Sequence, residues 1–217
     1  MDKIILVLTA VEAEKEAVVR GLRGDSRFVT IAAGVGPAAA AVTAASALAR
    51  DPGRYRLVVS AGIAGGFAGQ VPVGSVVVAS ESVAADLGAE TPDGFVSVDE
   101  LGFGSSRLPV DGAMAARLTE KLRESGIGVR LGPVLTLSTV TGTAATAAEL
   151  AERYPGAAAE AMEGYGIAEA ARRFDVPFLE IRAVSNAVGP RDRSAWRMGD
   201  ALAALEAACA TLTEVLP

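Results

Sequence analysis

The amino-acid sequence predicts an α/β fold: one domain over residues 1–217, built as a three-layer α-β-α sandwich with helices on both faces of a mixed, largely parallel central sheet. Three observations predict it. Short aliphatic runs of strand length alternate with segments whose apolar spacing suits helices, the pattern of a sheet covered on both faces. Glycine-rich stretches follow directly on two of those runs, at Gly34-Val35-Gly36 and at Gly62-Ile63-Ala64-Gly65-Gly66. No repeat, low-complexity tract or linker divides the 217 residues. At that length a single core buries roughly 70% of the surface that the unfolded chain exposes.

Each element has its own signal. Ile4 to Leu8 is a continuous aliphatic strand, and Val11 to Val19 carries the apolar spacing and charge of an amphipathic helix ending near Gly21. Phe28 to Ala33 is a second strand, after which Pro37 sits in the first turn of an alanine-rich helix reaching Arg50. Arg56 to Ala61 and Val73 to Ser80 read as buried strands, and Asp86 to Pro109 as a turn-rich segment. Asp111 or Gly112 caps a helix to Glu124, Leu131 to Ser138 is a strand, and Thr143 to Glu152 and Met162 to Phe174 are helices. Pro177 to Val184 is the last strand, and Ser194 to Val215 closes the chain as a long alanine-rich helix. Cys209 lies among its alanines as a small core residue.

Composition removes whole classes of chemistry. The chain has no histidine, so it holds no Ser-His-Asp triad, no Cys-His nucleophile pair and no histidine-bearing zinc site. Its single cysteine forms neither an intramolecular disulfide nor a thiolate metal cluster. Catalysis is left to carboxylates, amides, hydroxyls and backbone dipoles, or to a cofactor or metal bound through oxygen. The formal net charge of −6, without any run of basic residues, argues against nucleic acid as a partner. No apolar run approaches 18 residues, and the start from Met1-Asp2-Lys3 to Leu8 is too short for a signal-peptide core, so a cytoplasmic protein without a membrane partner is expected.

Ligands of α/β sheets bind beyond the carboxyl ends of the strands. That singles out Thr9 to Glu14, Gly34 to Pro37, Ala61 to Gly66, Ser138 to Gly142, Glu160 to Glu163 and Ser185 to Trp196. Gly34-Val-Gly36-Pro-Ala-Ala39 fits a dinucleotide fingerprint in form, but it falls in the second strand-helix unit and no acidic residue ends the following strand. A tight turn that brings backbone close to a neighbour or small ligand is the simpler account. With histidine absent, Glu14, Glu163 and Asn186 are the acid-base candidates, each against an ordinary alternative: a solvated helix face, a first-turn glutamate and a turn residue.

Thr9-Ala-Val-Glu12-Ala-Glu14, Ala33-Gly34-Val-Gly36, Ser60-Ala-Gly62-Ile-Ala-Gly65-Gly66, Met162-Glu163 and Pro177-Phe-Leu-Glu-Ile-Arg182-Ala-Val-Ser185-Asn186 together resemble the nucleoside phosphorylase superfamily. Their order and spacing are most similar to its methylthioadenosine/S-adenosylhomocysteine nucleosidase branch, over nearly the whole chain. The resemblance implies that Glu14 activates an attacking water and that Glu163 binds the sugar 2′- and 3′-hydroxyls. It also implies that Met162 packs on the ribose, with Arg182 and Ser185 nearby. Val35, Ile63, Ala64 and Gly65 fall in the binding loops, Val140 and Thr141 face the base, and Trp196 lies over the purine. The resemblance implies a site that needs no cofactor or metal and cleaves an N-glycoside through an oxocarbenium-like transition state, with a carboxylate serving as base without histidine. Phosphorylases of the superfamily need arginine to hold phosphate, and the first loop has no matching arginine.

In adenine-releasing members the position of Asn186 is an aspartate that donates a proton to the base. An asparagine amide instead offers hydrogen-bond donors to the five-membered-ring nitrogen and to a carbonyl oxygen at the sixth position, which favours a 6-oxopurine. Ser185-Asn-Ala-Val-Gly-Pro-Arg-Asp-Arg-Ser-Ala-Trp196 is similar to the corresponding stretch of the futalosine hydrolase family, whose members release hypoxanthine in menaquinone biosynthesis. Arg191 and Arg193 are candidates for the acidic, non-purine end of such a substrate. Ile63 stands in place of the usual adenine-site serine, and Val140 and Trp196 in place of its phenylalanine. Alternatives are a 6-oxopurine nucleoside phosphorylase, an adenine-specific nucleosidase and a nucleoside-binding protein without turnover, the last being expected to lack Glu14. The branch also implies a homo-oligomer, a dimer by preference, with Asp86 to Arg107 a candidate contribution across its interface.

Overall fold

The computed structural model describes residues 4–216, so Met1 to Lys3 of the N-terminal stretch lie outside it. Ten strands and six α-helices are described, in the order β1 (Ile4–Thr9), α1 (Glu12–Leu22), β2 (Phe28–Ala32), α2 (Pro37–Arg50), β3 (Tyr55–Gly66), β4 (Val76–Ala84), β5 (Gly88–Thr91), β6 (Gly94–Ser97), β7 (Arg107–Pro109), α3 (Gly112–Glu124), β8 (Val129–Thr136), α4 (Ala144–Arg153), β9 (Ala159–Ala161), α5 (Gly164–Arg173), β10 (Phe178–Ala187) and α6 (Met198–Val215). Local chemistry explains the helix starts. Pro37 opens α2 behind Gly36, whose φ of 91° favours glycine, and Asp111 caps α3 by accepting from the Met114 amide at 3.0 Å.

The sheet is mixed, as expected. β1 pairs in parallel with β2 and β3, β3 with β10, and β8 with β4 and β9, whereas β10–β4, β3–β9 and β4–β7 are antiparallel. Rather than remaining an open middle layer, the sheet closes on itself. β10 pairs with both β3 and β4, and the path β3-β10-β4-β8-β9 returns to β3 as a five-strand ring, with β1 and β2 extending from it. The cause is the length of β3, 12 residues, whose first half pairs with β1 and whose last two residues, Gly65 and Gly66, pair with Glu160 and Ala159 of β9. Side-chain-free backbone is needed there, since a Cβ on Gly66 would lie 2.7 Å from Val184 Cγ1.

Several boundaries differ from the sequence expectation. Gly62 to Gly66 continues a strand instead of forming a loop, and the turn-rich segment 86–109 contains the β5–β6 hairpin and β7. Ala159–Ala161 is a strand, which delays α5 until Gly164, and Arg193–Ala195 forms a separate 3₁₀ turn before α6 begins at Met198. Asn186 belongs to the end of β10 rather than following it.

Apolar side chains collect in four clusters. One joins a face of β1, β3, β4 and β10 to α1, α3 and α6, and includes Cys209, whose thiol burial pushes up to about 12 and so keeps it inert. A second packs β1 and β3 on α2 and α5. A third draws Ala64, Val77, Ala79, Val134, Ala159, Ala161 and Val184 from all five ring strands, small side chains suited to a narrow interior. The fourth lies under α4 and contains Phe67, Leu150 and Tyr154. Among the described residues, no helix is long and apolar enough to cross a membrane.

The α2–α5 crossing depends on Gly166, where an added Cβ would lie 2.2 Å from the Pro37 carbonyl oxygen. Alanine normally gains about 1 kcal/mol over glycine inside a helix, but overpacking against a backbone group costs about 1–3 kcal/mol or more. Gly166→Ala is therefore expected to lower the melting temperature by several degrees in a thermal scan. A rise would show that the crossing tolerates the methyl group.

Candidate active site

At the carboxyl ends of β1, β3 and β10 lies a cavity of about 220 Å³, and all six strand-end segments singled out in the sequence contribute to its wall. Ala10, Val11 and Glu14 come from the start of α1, Val35 from the β2–α2 turn, and Ile63, Ala64 and Gly65 from β3. Val140 and Thr141 come from the loop after β8, residues 160–163 from β9 and its exit, and Ser185, Asn186, Val188 and Trp196 from the end of β10 and beyond. Of the predicted site residues, Arg182 stands behind the wall at 1% exposure and the candidates Arg191 and Arg193 lie outside the lining, while all the others line the cavity. Sequence reasoning assigned no role to Ala10, Val11, Glu160, Ala161 or Val188, although Glu160 carried a signal as a carboxylate among alanines at a strand end.

Glu14 is not the solvated helix residue of the ordinary alternative. It is 3% exposed; its Oε2 accepts from the Ala10 and Val11 amides at 2.8 and 3.2 Å, and its Oε1 accepts from the Ile63 amide at 2.9 Å. The first turn of α1 thus holds the carboxylate where orphan N–H groups and the helix dipole favour negative charge. Three of about four lone-pair sites are used, which leaves capacity for one more donor.

Arg182 joins the other carboxylates. Its Nε donates to Glu180 Oε1 at 2.9 Å, its Nη1 to Glu163 Oε2 at 3.3 Å and its Nη2 to Ser60 Oγ at 2.9 Å. Glu163 sits at the N-cap position of α5, where Oε2 also accepts from the Met162 amide at 3.3 Å and Oε1 from the Gly36 amide at 3.1 Å. The Gly34-Val-Gly36 turn, with both glycines at φ above 90°, therefore serves to bring a backbone N–H onto Glu163. A Cβ on Gly62 would lie 2.8 Å from both Arg182 Nη1 and Glu14 Oε1, so a bare backbone lets the two charged groups meet there. Glu180 is wholly buried, and burial pushes its carboxyl above the usual range despite the opposing Arg182 charge.

Ser185 and Asn186 are neighbours in sequence, yet both line the cavity. Alternation along a strand would send them to opposite faces, but the β3–β10 register shifts between Val184 and Asn186, a bulge that re-aims them. Asn186 Nδ2 donates to the Ala187 carbonyl at 2.9 Å, and Oδ1 accepts from the Ser185 hydroxyl at 2.8 Å. Because a carbonyl only accepts, the amide's orientation is determined, and one N–H remains for a ligand where the sequence argument counted two. Trp196 is half-buried in the wall with the exposed Arg191 guanidinium 5.8 Å from its ring, while Arg193 lies in the exposed 3₁₀ turn. Glu160, 5% exposed, accepts from the Thr141 amide at 2.8 Å and from the Thr141 hydroxyl, and burial raises its carboxyl above the ordinary range against those bonds.

A mixed sheet whose strand ends gather buried carboxylates and an amide around a nucleoside-sized cavity defines a class, and residues 7–216 match the family model of the phosphorylase superfamily. The chain belongs to that superfamily, and within it to the futalosine hydrolase family. It is 54% identical to the futalosine hydrolase of Streptomyces coelicolor, over 98% of this chain and 96% of that protein. It is 47% identical to that of Acidothermus cellulolyticus, over 95% and 89%. Its fold matches the solved futalosine hydrolase mutant of Helicobacter pylori with a TM-score of 0.85 at 16% identity, over 99% and 100% of the two chains.

Removing one partner of a buried ion pair costs about 3–5 kcal/mol, because the remaining charge stays buried. Arg182→Met is expected to lose that much stability near neutral pH by chemical denaturation. Glu180 already has a folded-state pKa above its unfolded value, so its favourable contribution is complete below the unfolded pKa and is lost as pH rises through the folded one. The deficit of the variant should therefore shrink as pH falls toward the unfolded glutamate pKa of about 4.3. A deficit independent of pH would contradict a cluster organised around the Arg182 charge.

Proposed function

We propose that the chain hydrolyses the N-glycosidic bond of futalosine, releasing hypoxanthine and dehypoxanthine futalosine in menaquinone biosynthesis. Glu14 accepts a proton from the attacking water, and Glu163 accepts from the ribose hydroxyls while Met162 packs on the sugar. Asn186 directs its free N–H at the departing base, where a fixed donor stabilises the charge that develops as the bond breaks. Val35, Ile63, Ala64, Gly65, Val140, Thr141, Ser185 and Trp196 enclose the nucleoside, and Arg191 at the rim meets an acidic far end. The observation that carries this reading is Glu14, held by three backbone amides and lining the cavity, in a chain that matches a futalosine hydrolase over nearly its whole length.

Water rather than phosphate is the nucleophile in this account, because no arginine or lysine is among the described residues that line the cavity. Adenine release fits less well, since the Asn186 amide presents a donor toward an amino group that also donates. We further infer one nucleoside phosphorylase-like domain, a cytoplasmic location and a homodimer. Support for the last is the apolar pair Leu101 and Phe103, 36% and 84% exposed, near the Tyr165 hydroxyl that donates to the Ser105 carbonyl.

Chromatography of the base released from futalosine, with and without phosphate, tests the assignment. Hypoxanthine should appear at the same rate in both, and release that needs phosphate would overturn it. Glu14→Gln should lower kcat by about 10²–10⁴-fold with little change in KM, and a near-wild-type kcat would remove Glu14 from the water-activating role.

A further inference from the structure

We propose that Glu160 accepts the N1–H of the purine and so sets, with Asn186, the preference for a 6-oxopurine over a 6-aminopurine. The inference rests on the nucleosidase reading above and adds to it a specificity-determining residue that the water-activating and ribose-binding steps do not use.

Strand register puts the two residues on either side of Gly65. Asn186 is paired with Gly65 on β3, and Gly65 with Glu160 on β9, so Asn186 and Glu160 flank Gly65 about two strand spacings, roughly 10 Å, apart. Register-paired neighbours direct side chains to the same face of a sheet, and Gly65 contributes none between them. A Cβ on Gly65 would lie 3.0 Å from Val188 Cγ2 and 3.4 Å from Asn186 Nδ2, so the gap must stay open at that position. All four residues line the cavity.

The hydrogen bonds of Glu160 give the cavity edge its sign. Oε1 takes the Thr141 amide proton and Oε2 the Thr141 hydroxyl proton, so both Thr141 donors are engaged with protein. About two of the four lone-pair sites of the carboxylate remain, and what the edge offers a ligand is an acceptor. A 6-oxopurine carries a donor, N1–H, next to the acceptor O6. A 6-aminopurine carries a lone pair at N1 next to a donating amine. Glu160 therefore complements N1–H and opposes a bare N1, while the remaining Asn186 N–H on the other side meets N7 or O6. Two side chains on strands either side of β3 read opposite signs on one base.

Parallel measurement of kcat/KM for futalosine and its 6-amino analogue on the wild type and Glu160→Gln tests the inference. A hydrogen bond to a charged group carries roughly 10–100-fold in affinity. The oxo-to-amino ratio should fall by about that factor in Glu160→Gln. Equal losses on both substrates, or an unchanged ratio, would overturn the proposal and leave Glu160 as a brace for Thr141. If Glu160→Gln does not fold, inhibition of the wild type by hypoxanthine and by 1-methylhypoxanthine decides. About tenfold weaker inhibition by the methylated base supports an N1–H contact, and equal inhibition overturns it. A wild type that releases no hypoxanthine would instead defeat the nucleosidase reading itself.

Discussion

Arg182 is the only fully buried arginine among the described residues, in a site that holds four buried carboxylates, and much of the architecture follows from satisfying it. A guanidinium removed from water is tolerable only when its fork is met by acceptors of fixed geometry. Here β10 supplies Glu180, β3 supplies Ser60 and the start of α5 supplies Glu163. Satisfying the cation places Glu163 at the cavity wall, and the Gly36 amide from the start of α2 completes its coordination. The ion cluster thus links three parts of the fold before any ligand arrives, which is how a site can be preorganised for a charged transition state.

Small residues make that cluster possible. Gly62 lets Arg182 and Glu14 approach the same point, and a Cβ on Gly164 would lie 2.1 Å from Glu180 Oε1. The glycine-rich second half of β3 also lets β9 approach closely enough to close the ring, which brings Glu160 to the cavity wall. Packing and chemistry share the same positions: a methyl group at Gly62 or Gly164 disturbs charge placement first and core density second.

The alternation of strands and helices was legible because each long element carries a clear period, and the site was legible because ligand-facing residues cluster after strands. The misreadings have physical causes. Ala159–Ala161 is three residues long, too short for any period to register, and its pairing is decided by ring closure. Gly62 to Gly66 has the composition of a loop and becomes strand only because neighbours on both sides take its hydrogen bonds. The bulge at Ser185 leaves no trace in sequence, and neither does the bond from Asn186 to the Ala187 carbonyl that reduces its free donors to one. The resemblance places Arg182 near the site, and its burial makes it a support behind the wall.

In the proposed reaction a buried carboxylate set organised by Arg182 cleaves an N-glycoside with water. Reaction in oxygen-18 water, quenched within seconds and read by mass spectrometry of the sugar product, tests it directly. The account predicts one heavy oxygen atom on the released ribosyl product, with phosphate present or absent. A phosphorylated sugar product free of label would contradict it.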